Sequence, residues 1–162
     1  MSSSKHNFNS SIAIAVVAAI VVALDQYTKA AIQHLAARDG GYYVHLVVPH
    51  LLRWTYEQNV HGAFGLFGSN GSLLIAMALV VLVIFWLGFR DAADRSRIVR
   101  VAFGMIVGGA IGNIVDRVHL HYVVDFIDFY RIWPNIFNVA DACITTGVIL
   151  LVLSSFVTRR RR

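Results

Sequence analysis

The sequence predicts an all-α polytopic membrane protein, with four transmembrane helices and a small extracytoplasmic β-element. Three observations predict it. Of 162 residues, 57% are apolar and only 14% charged, whereas a soluble domain carries about a quarter charged residues. Mean hydropathy is +0.65. Four apolar stretches approach or exceed the roughly 20 residues needed to cross a bilayer. The basic residues are also distributed unevenly around those stretches. A chain of this length holds one integral membrane domain over 1–162, with no room for a sizeable second one.

Helix one is expected over about 11–33, because the Ala, Val and Ile run from Ser11 to Leu24 resumes beyond Asp25 through Tyr27 and Ala30. A basic start at Lys5 before an apolar run also fits a cleaved signal peptide. The run continues past Asp25, however, and three more spans follow. A β-element is expected over about 42–66: Tyr42 to Val48 and Leu51 to Tyr56 read as strands separated by Pro49. The Gly62, Gly65, Gly68 and Gly71 spacing reads as loop punctuation. Helix two is expected over about 72–89, helix three over 98–116 and helix four over 136–157. Gly104, Gly108, Gly109 and Gly112 on helix three allow neighbouring backbones to approach closely.

Lys5, Arg90, Arg95, Arg97, Arg100 and the Arg159 to Arg162 tail fall on one side of four crossings, against Arg38, Arg53, Arg117 and Arg131 on the other. The positive-inside rule places both termini in the cytoplasm and the 36–71 and 117–135 connections outside. The tail reads as an anchor to anionic lipid rather than a nucleic-acid contact. Single Cys143 forms no internal disulfide, and without a Cys/His cluster or a His-Glu-x-x-His pair no metal or cofactor is expected. No Gly-x-Ser-x-Gly elbow or phosphate loop is present, which disfavours Ser/His/Asp chemistry and nucleotide hydrolysis.

The polar residues inside the spans carry the functional information, because each is costly in lipid unless paired or hydrated. At about 1.5 Å rise per residue, Asp25 lies roughly 20 Å into a core about 30 Å thick. Asn113 and Asp116 fall near the outer end of helix three, Asp125 in the connection after it, and Asn138 and Asp141 in the first turns of helix four. Segments remote in sequence thus deliver six polar groups to one outer layer. Asp25 with Lys29, and Asp116 with Arg117, also fit ion pairs that lower the insertion cost. Asp125 and Asp141 have no cation at helical spacing. Two carboxyls sharing a site do not both ionise, so one keeps its proton while the other carries charge, an acid and a base from one residue type.

These residues sit in motifs. Asp25-Gln26-Tyr27-Thr28-Lys29 resembles the Asp-Gln-x-Ser/Thr-Lys motif of the lipoprotein signal peptidases (signal peptidase II). Gly108-Gly109-Ala110-Ile111-Gly112-Asn113-Ile114-Val115-Asp116-Arg117 resembles that family's Gly-Gly-x-x-Gly-Asn-x-x-Asp-Arg. Val123-Val124-Asp125-Phe126 and Phe137-Asn138-Val139-Ala140-Asp141 follow in the family's order. Asn59-Val60-His61-Gly62-Ala63-Phe64 departs from Asn-x-Gly-Ala-Ala-Phe at His61 and Gly62, and the role of His61 stays open.

The resemblance implies an aspartyl endopeptidase of the bacterial inner membrane, active near its outer face, that cuts prolipoproteins before a diacylglyceryl-modified cysteine. Asp125 and Asp141 match the catalytic pair. Asn59, Asn113, Asp116, Arg117 and Asn138 match supporting residues, and Asp25 and Lys29 match the pair of the first motif. The implied partners are the diacylglyceryl-prolipoprotein and membrane lipids, with no nucleic acid, and a monomer is expected. The alternatives are a small proton-coupled transporter or channel with an Asp/Asn relay, and a membrane assembly factor whose acids are structural.

Overall fold

The computed structural model describes residues 2–61 and 71–159. The part of the β-element beyond His61, the motif residues Gly62, Ala63 and Phe64, Gly65 and Gly68 of the glycine spacing, and Arg160 to Arg162 of the tail lie outside the described residues.

The chain runs α1 (Ser2–Arg38), β1 (Val44–Val48), β2 (Leu52–Asn59), α2 (Gly71–Arg95), α3 (Arg97–His119), β3 (Val123–Asp128) and α4 (Val139–Arg159). Four segments, Ser10–Arg38, Ser72–Phe89, Arg97–His119 and Val139–Phe156, are long and apolar enough to cross a membrane. Helix α1 outruns the expected 11–33 because it is continuous through its polar start and stops only where Gly40 and Gly41 take φ of +76° and +92°. There the Gly41 N–H donates to Ala36 O at 2.8 Å, closing the helix end through a left-handed conformation that glycine adopts freely. Ser96 alone separates α2 from α3 and accepts the Val99 N–H as N-cap, so the two helices form a tight hairpin.

Helix α3 is the central element: 56% of its apolar window is buried, against 6% for α2. Its glycines permit this. A Cβ at Gly104 would meet Val17 and one at Gly108 would meet Ala18 O, both on α1, whereas one at Gly109 would meet Ala140 O on α4. Small residues on two faces of α3 thus let two helices approach its backbone, where dispersion contacts hold membrane helices together. At one end of the bundle Ile14, Val99, Ala102, Phe103, Ile106 and Leu151 form a buried apolar core.

The strands form one antiparallel sheet in the order β1-β2-β3. Strand β3 occupies what the sequence reads as a plain connection. Its residues Val123 to Phe126 are buried without alternation, so the period-2 signal of a half-exposed strand is missing. Helix α4 begins at Val139 rather than at 136, because Phe137 pairs with Ile127 in a β-bridge and Asn138 becomes the cap.

Candidate active site

Asn138 precedes the first residue of α4, and its side-chain Oδ1 accepts the Asp141 N–H at 2.9 Å. This is an N-cap, preferred because it satisfies an N–H that has no partner within the helix. With Oδ1 committed, the Asn138 Nδ2 faces the other way. It donates to Asp125 Oδ1 at 2.7 Å and to Asn113 Oδ1 at 3.2 Å. Asn113, on α3, in turn donates to Asp141 Oδ1 at 2.8 Å. Two asparagines therefore bridge a carboxyl on β3 to a carboxyl on α4. Asn59, at the end of β2, donates to Asp125 Oδ2 at 2.8 Å, and its own Oδ1 accepts the His61 N–H at 3.2 Å. That contact uses the backbone of His61, which any non-proline residue offers, so Asn59 is held although the motif departs from glycine there.

Beneath this bridge lies a buried ionic cluster. Lys29 has three N–H donors. They reach Asp25 Oδ2 at 2.8 Å, Asp116 Oδ2 at 3.0 Å and Asn113 Oδ1 at 3.0 Å. Asp25 and Lys29 are 0% and 2% exposed, so this pair lives away from water. Each acid also accepts a backbone N–H from another element: Ala140 of α4 donates to Asp25 Oδ1 at 2.9 Å, and Val124 of β3 to Asp116 Oδ2 at 3.0 Å. The cluster thereby ties α1, α3, β3 and the start of α4 together. Lys29 also decides which way the Asn113 amide points, since an Oδ1 that accepts from an ammonium leaves only Nδ2 to face Asp141.

Asp116 pairs with Lys29 and not with Arg117 as the sequence suggested. Adjacent residues on a helix do not face each other. Arg117 instead donates to Asn113 O at 3.3 Å and lines a cavity. That cavity, about 1040 Å³, is walled by β2, β3, the 129–137 loop and α4, with Asn59, Asn113, Arg117, Asp125 and Asp141 on its surface. Asp125 is 1% exposed. Its burial, together with the charge of Asp141, pushes its carboxyl up to about 7, against the opposing hydrogen bonds from Asn59 and Asn138 and the charge of Lys29. All nine residues singled out from the sequence meet in this one connected region.

Sequence reasoning assigned no role to Gln26. Its Nε2 donates to Asp116 Oδ1 at 2.8 Å and to Gly112 O at 3.2 Å, stitching α1 to α3. Its place between Asp25 and Lys29 in the motif was the available signal. Arg53 and Asp128 were also missed: they face each other across β2 and β3 and form an ion pair at 2.6 Å. Their pairing was invisible without the third strand. The packing role that the spacing predicts for Gly112 has a specific cause, since a Cβ there would lie 2.5 Å from Asp25 Oδ2. Gly112→Ala is expected to destabilise the protein by about 1–3 kcal/mol through forced displacement of Asp25. Thermal unfolding in detergent checks it, and an unchanged Tm would contradict the close approach.

A family model described as Signal peptidase (SPase) II matches residues 17–157. A lipoprotein signal peptidase of Caldanaerobacter subterraneus subsp. tengcongensis is 40% identical over 140 residues, covering 84% of this chain and 90% of the relative. One from Pelotomaculum thermopropionicum is 37% identical over 136 residues, covering 84% and 86%. A solved structure of a bacterial membrane enzyme, obtained by the in meso method, superposes with a TM-score of 0.76 at 30% identity, covering 91% of this chain and 89% of that one. The match spans every element that builds the cavity, and the chain, a multi-pass bacterial membrane protease, belongs to the signal peptidase II family.

Proposed function

We propose that the chain is an aspartic endopeptidase that removes the signal peptide of diacylglyceryl-modified prolipoproteins, cutting on the N-terminal side of the lipidated cysteine. The observation that carries this reading is the Asn138–Asn113 bridge, which holds Asp125 and Asp141 on the surface of one cavity.

The two acids are not equivalent. Both Asp125 oxygens accept amide N–H groups, from Asn138 and Asn59, an arrangement that favours the ionised form. Asp141 has Oδ1 bonded to Asn113 and its other oxygen available to the cavity. In the proposed reaction Asp125 takes a proton from a water as that water attacks the scissile carbonyl carbon. Asp141 donates its proton to the developing oxyanion, giving a neutral tetrahedral diol. On collapse the C–N bond breaks, Asp125 passes its proton to the leaving nitrogen, and Asp141 recovers the hydroxyl proton as the carboxyl product forms. No covalent intermediate arises, and both acids return to their starting states.

Orientation follows from charge. The excess of cations around the α2–α3 hairpin and at the termini supports a cytoplasmic location for both ends and an outward-facing cavity. The site would then lie where a lipid-anchored cysteine presents its peptide bond. Apolar cavity residues such as Ile136, Phe137 and Ile144 suit the acyl chains. A transport relay is not favoured, since among the described residues Ile14, Phe103, Ile106 and Leu151 form a buried apolar core at one end of the bundle.

The direct test is cleavage by purified protein in detergent of a diacylglyceryl-modified precursor against the same precursor unmodified. The modified one is expected to be cut and the unmodified one spared. The rate should fall as pH drops below about 7: that value includes the charge of Asp141, and with Asp141 protonated Asp125 gains its proton, and the base is lost, at a lower pH. Equal cleavage of both precursors would remove the lipid requirement, and a rate still rising well below pH 6 would remove Asp125 as the base.

A further inference from the structure

The loop between β3 and α4 is rigidly built yet presents large apolar side chains outward. Its base is closed by the Ile127–Phe137 bridge, with the Ile127 N–H donating to Phe137 O at 2.7 Å and the Phe137 N–H to Ile127 O at 3.1 Å. Phe129 and Phe137 stack across that base with centroids 5.8 Å apart. A turn follows, in which the N–H groups of Ile132 and Trp133 both donate to Phe129 O at 2.8 and 3.0 Å. The Arg53 guanidinium, itself paired with Asp128, lies 4.9 Å above the Tyr130 ring and braces the loop from the sheet. At the tip of this braced structure Ile132 is 68% exposed and Trp133 51%, flanked by exposed Arg131 and Pro134.

We infer that this tip is a membrane-interface wedge, seated in the phospholipid headgroup layer beside the mouth of the cavity. Three features commit it to lipid. The loop runs directly into α4, and the stretch from Trp133 to Val139 spans at most about 22 Å even fully extended, which tethers the tip near the end of a crossing helix. Its composition suits that layer: an indole and a branched aliphatic for the acyl boundary, and the Arg131 cation for phosphate. The substrate is a transient occupant and would leave both side chains in water between turnovers, whereas the bilayer is always present. Ile132 and Trp133 also line the cavity rim, so the wedge sets the height of that rim against the lipid from which a lipid-anchored chain arrives.

The inference rests on the membrane location and the loop geometry, not on the two-carboxyl chemistry, and its test needs no turnover. Trp54 and Trp86 pack against Phe126 and Phe103, so Trp54→Phe with Trp86→Phe keeps a ring at each site and leaves Trp133 as the sole indole. In phosphatidylcholine–phosphatidylglycerol vesicles, lipids brominated near the carbonyl end of the acyl chain are expected to remove most of the Trp133 emission, with aqueous iodide removing little. Quenching by iodide but not by bromolipid would put the tip in water. Quenching by neither would mean that protein covers it, including the Gly62 to Asn70 segment of this chain. Either result overturns the wedge. As a second measurement, Cys143→Ser with Ile132→Cys gives a single site for a nitroxide label. Collisions with oxygen are expected to exceed those with a water-soluble nickel chelate, and the reverse order would also overturn the inference.

Discussion

Asp141→Asn is expected to lower kcat by a factor on the order of 10²–10⁴, the range that a positioned acid or base supplies, while leaving the fold intact. The fold is spared because only one Asp141 oxygen is committed, to the Asn113 Nδ2 at 2.8 Å. An asparagine offers its own Oδ1 to that donor and turns its amide toward the cavity. Asp125→Asn should lose comparable activity and some stability as well. Both Asp125 oxygens accept N–H groups, from Asn138 at 2.7 Å and Asn59 at 2.8 Å, so an amide there must set NH₂ against NH₂. That mismatch in a buried site costs about 1–3 kcal/mol. Single-turnover cleavage paired with thermal unfolding separates the two effects. The dyad fails if either variant keeps more than roughly a tenth of the rate.

Lys29→Met carries the largest stability effect expected of any single change. The substitution preserves the apolar stem but leaves Asp25 and Asp116, 0% and 3% exposed, facing each other without a cation. Removing one partner of a buried ion pair costs about 3–5 kcal/mol. Here two acids lose the same partner. The loss also reaches the site, because the Asn113 Oδ1 loses its ammonium donor at 3.0 Å and keeps only the longer contact from Asn138 Nδ2 at 3.2 Å, which weakens the hold on the amide that faces Asp141. Thermal unfolding should show the drop, and adding Asp116→Asn should recover part of it by removing one orphaned charge. Such non-additivity measures the coupling directly. A loss below about 1 kcal/mol, as for an exposed pair, would contradict the buried cluster.

Much of this was legible along the chain. The crossing segments follow from hydropathy, which is a local sum over neighbours, and within α2 (Gly71–Arg95) the apolar window runs over Ser72–Phe89. Convergence of Asp25, Asn113, Asp116, Asp125, Asn138 and Asp141 followed from counting rise per residue along antiparallel spans, because a rigid rod turns sequence position into depth. The close-packing role of the helix-three glycines was likewise readable from their spacing.

The remainder required the tertiary structure, because it depends on partners far apart in the chain. Strand β3 pairs with β2 in a register that sets Glu57 opposite Asp125 and Arg53 opposite Asp128. Its own residues carry no alternation to announce that pairing. The choice of Lys29 over Arg117 as the partner of Asp116 is a matter of which side chain crosses from α1 to α3, and sequence adjacency pointed to the wrong one. The direction of the Asn113 amide is decided by Lys29, a contact that exists only once α1 packs on α3, whereas that of Asn138 is set locally by the Asp141 N–H of its own helix cap. Hydropathy and rise per residue are additive along a helix, so the chain's own order of residues is enough to mark the segments apolar enough to cross a membrane and the end of those segments toward which the polar groups gather. Only the packed structure decided which of those groups bond to one another, because a hydrogen bond or buried ion pair is set by ångström-scale distances between elements rather than by position within one.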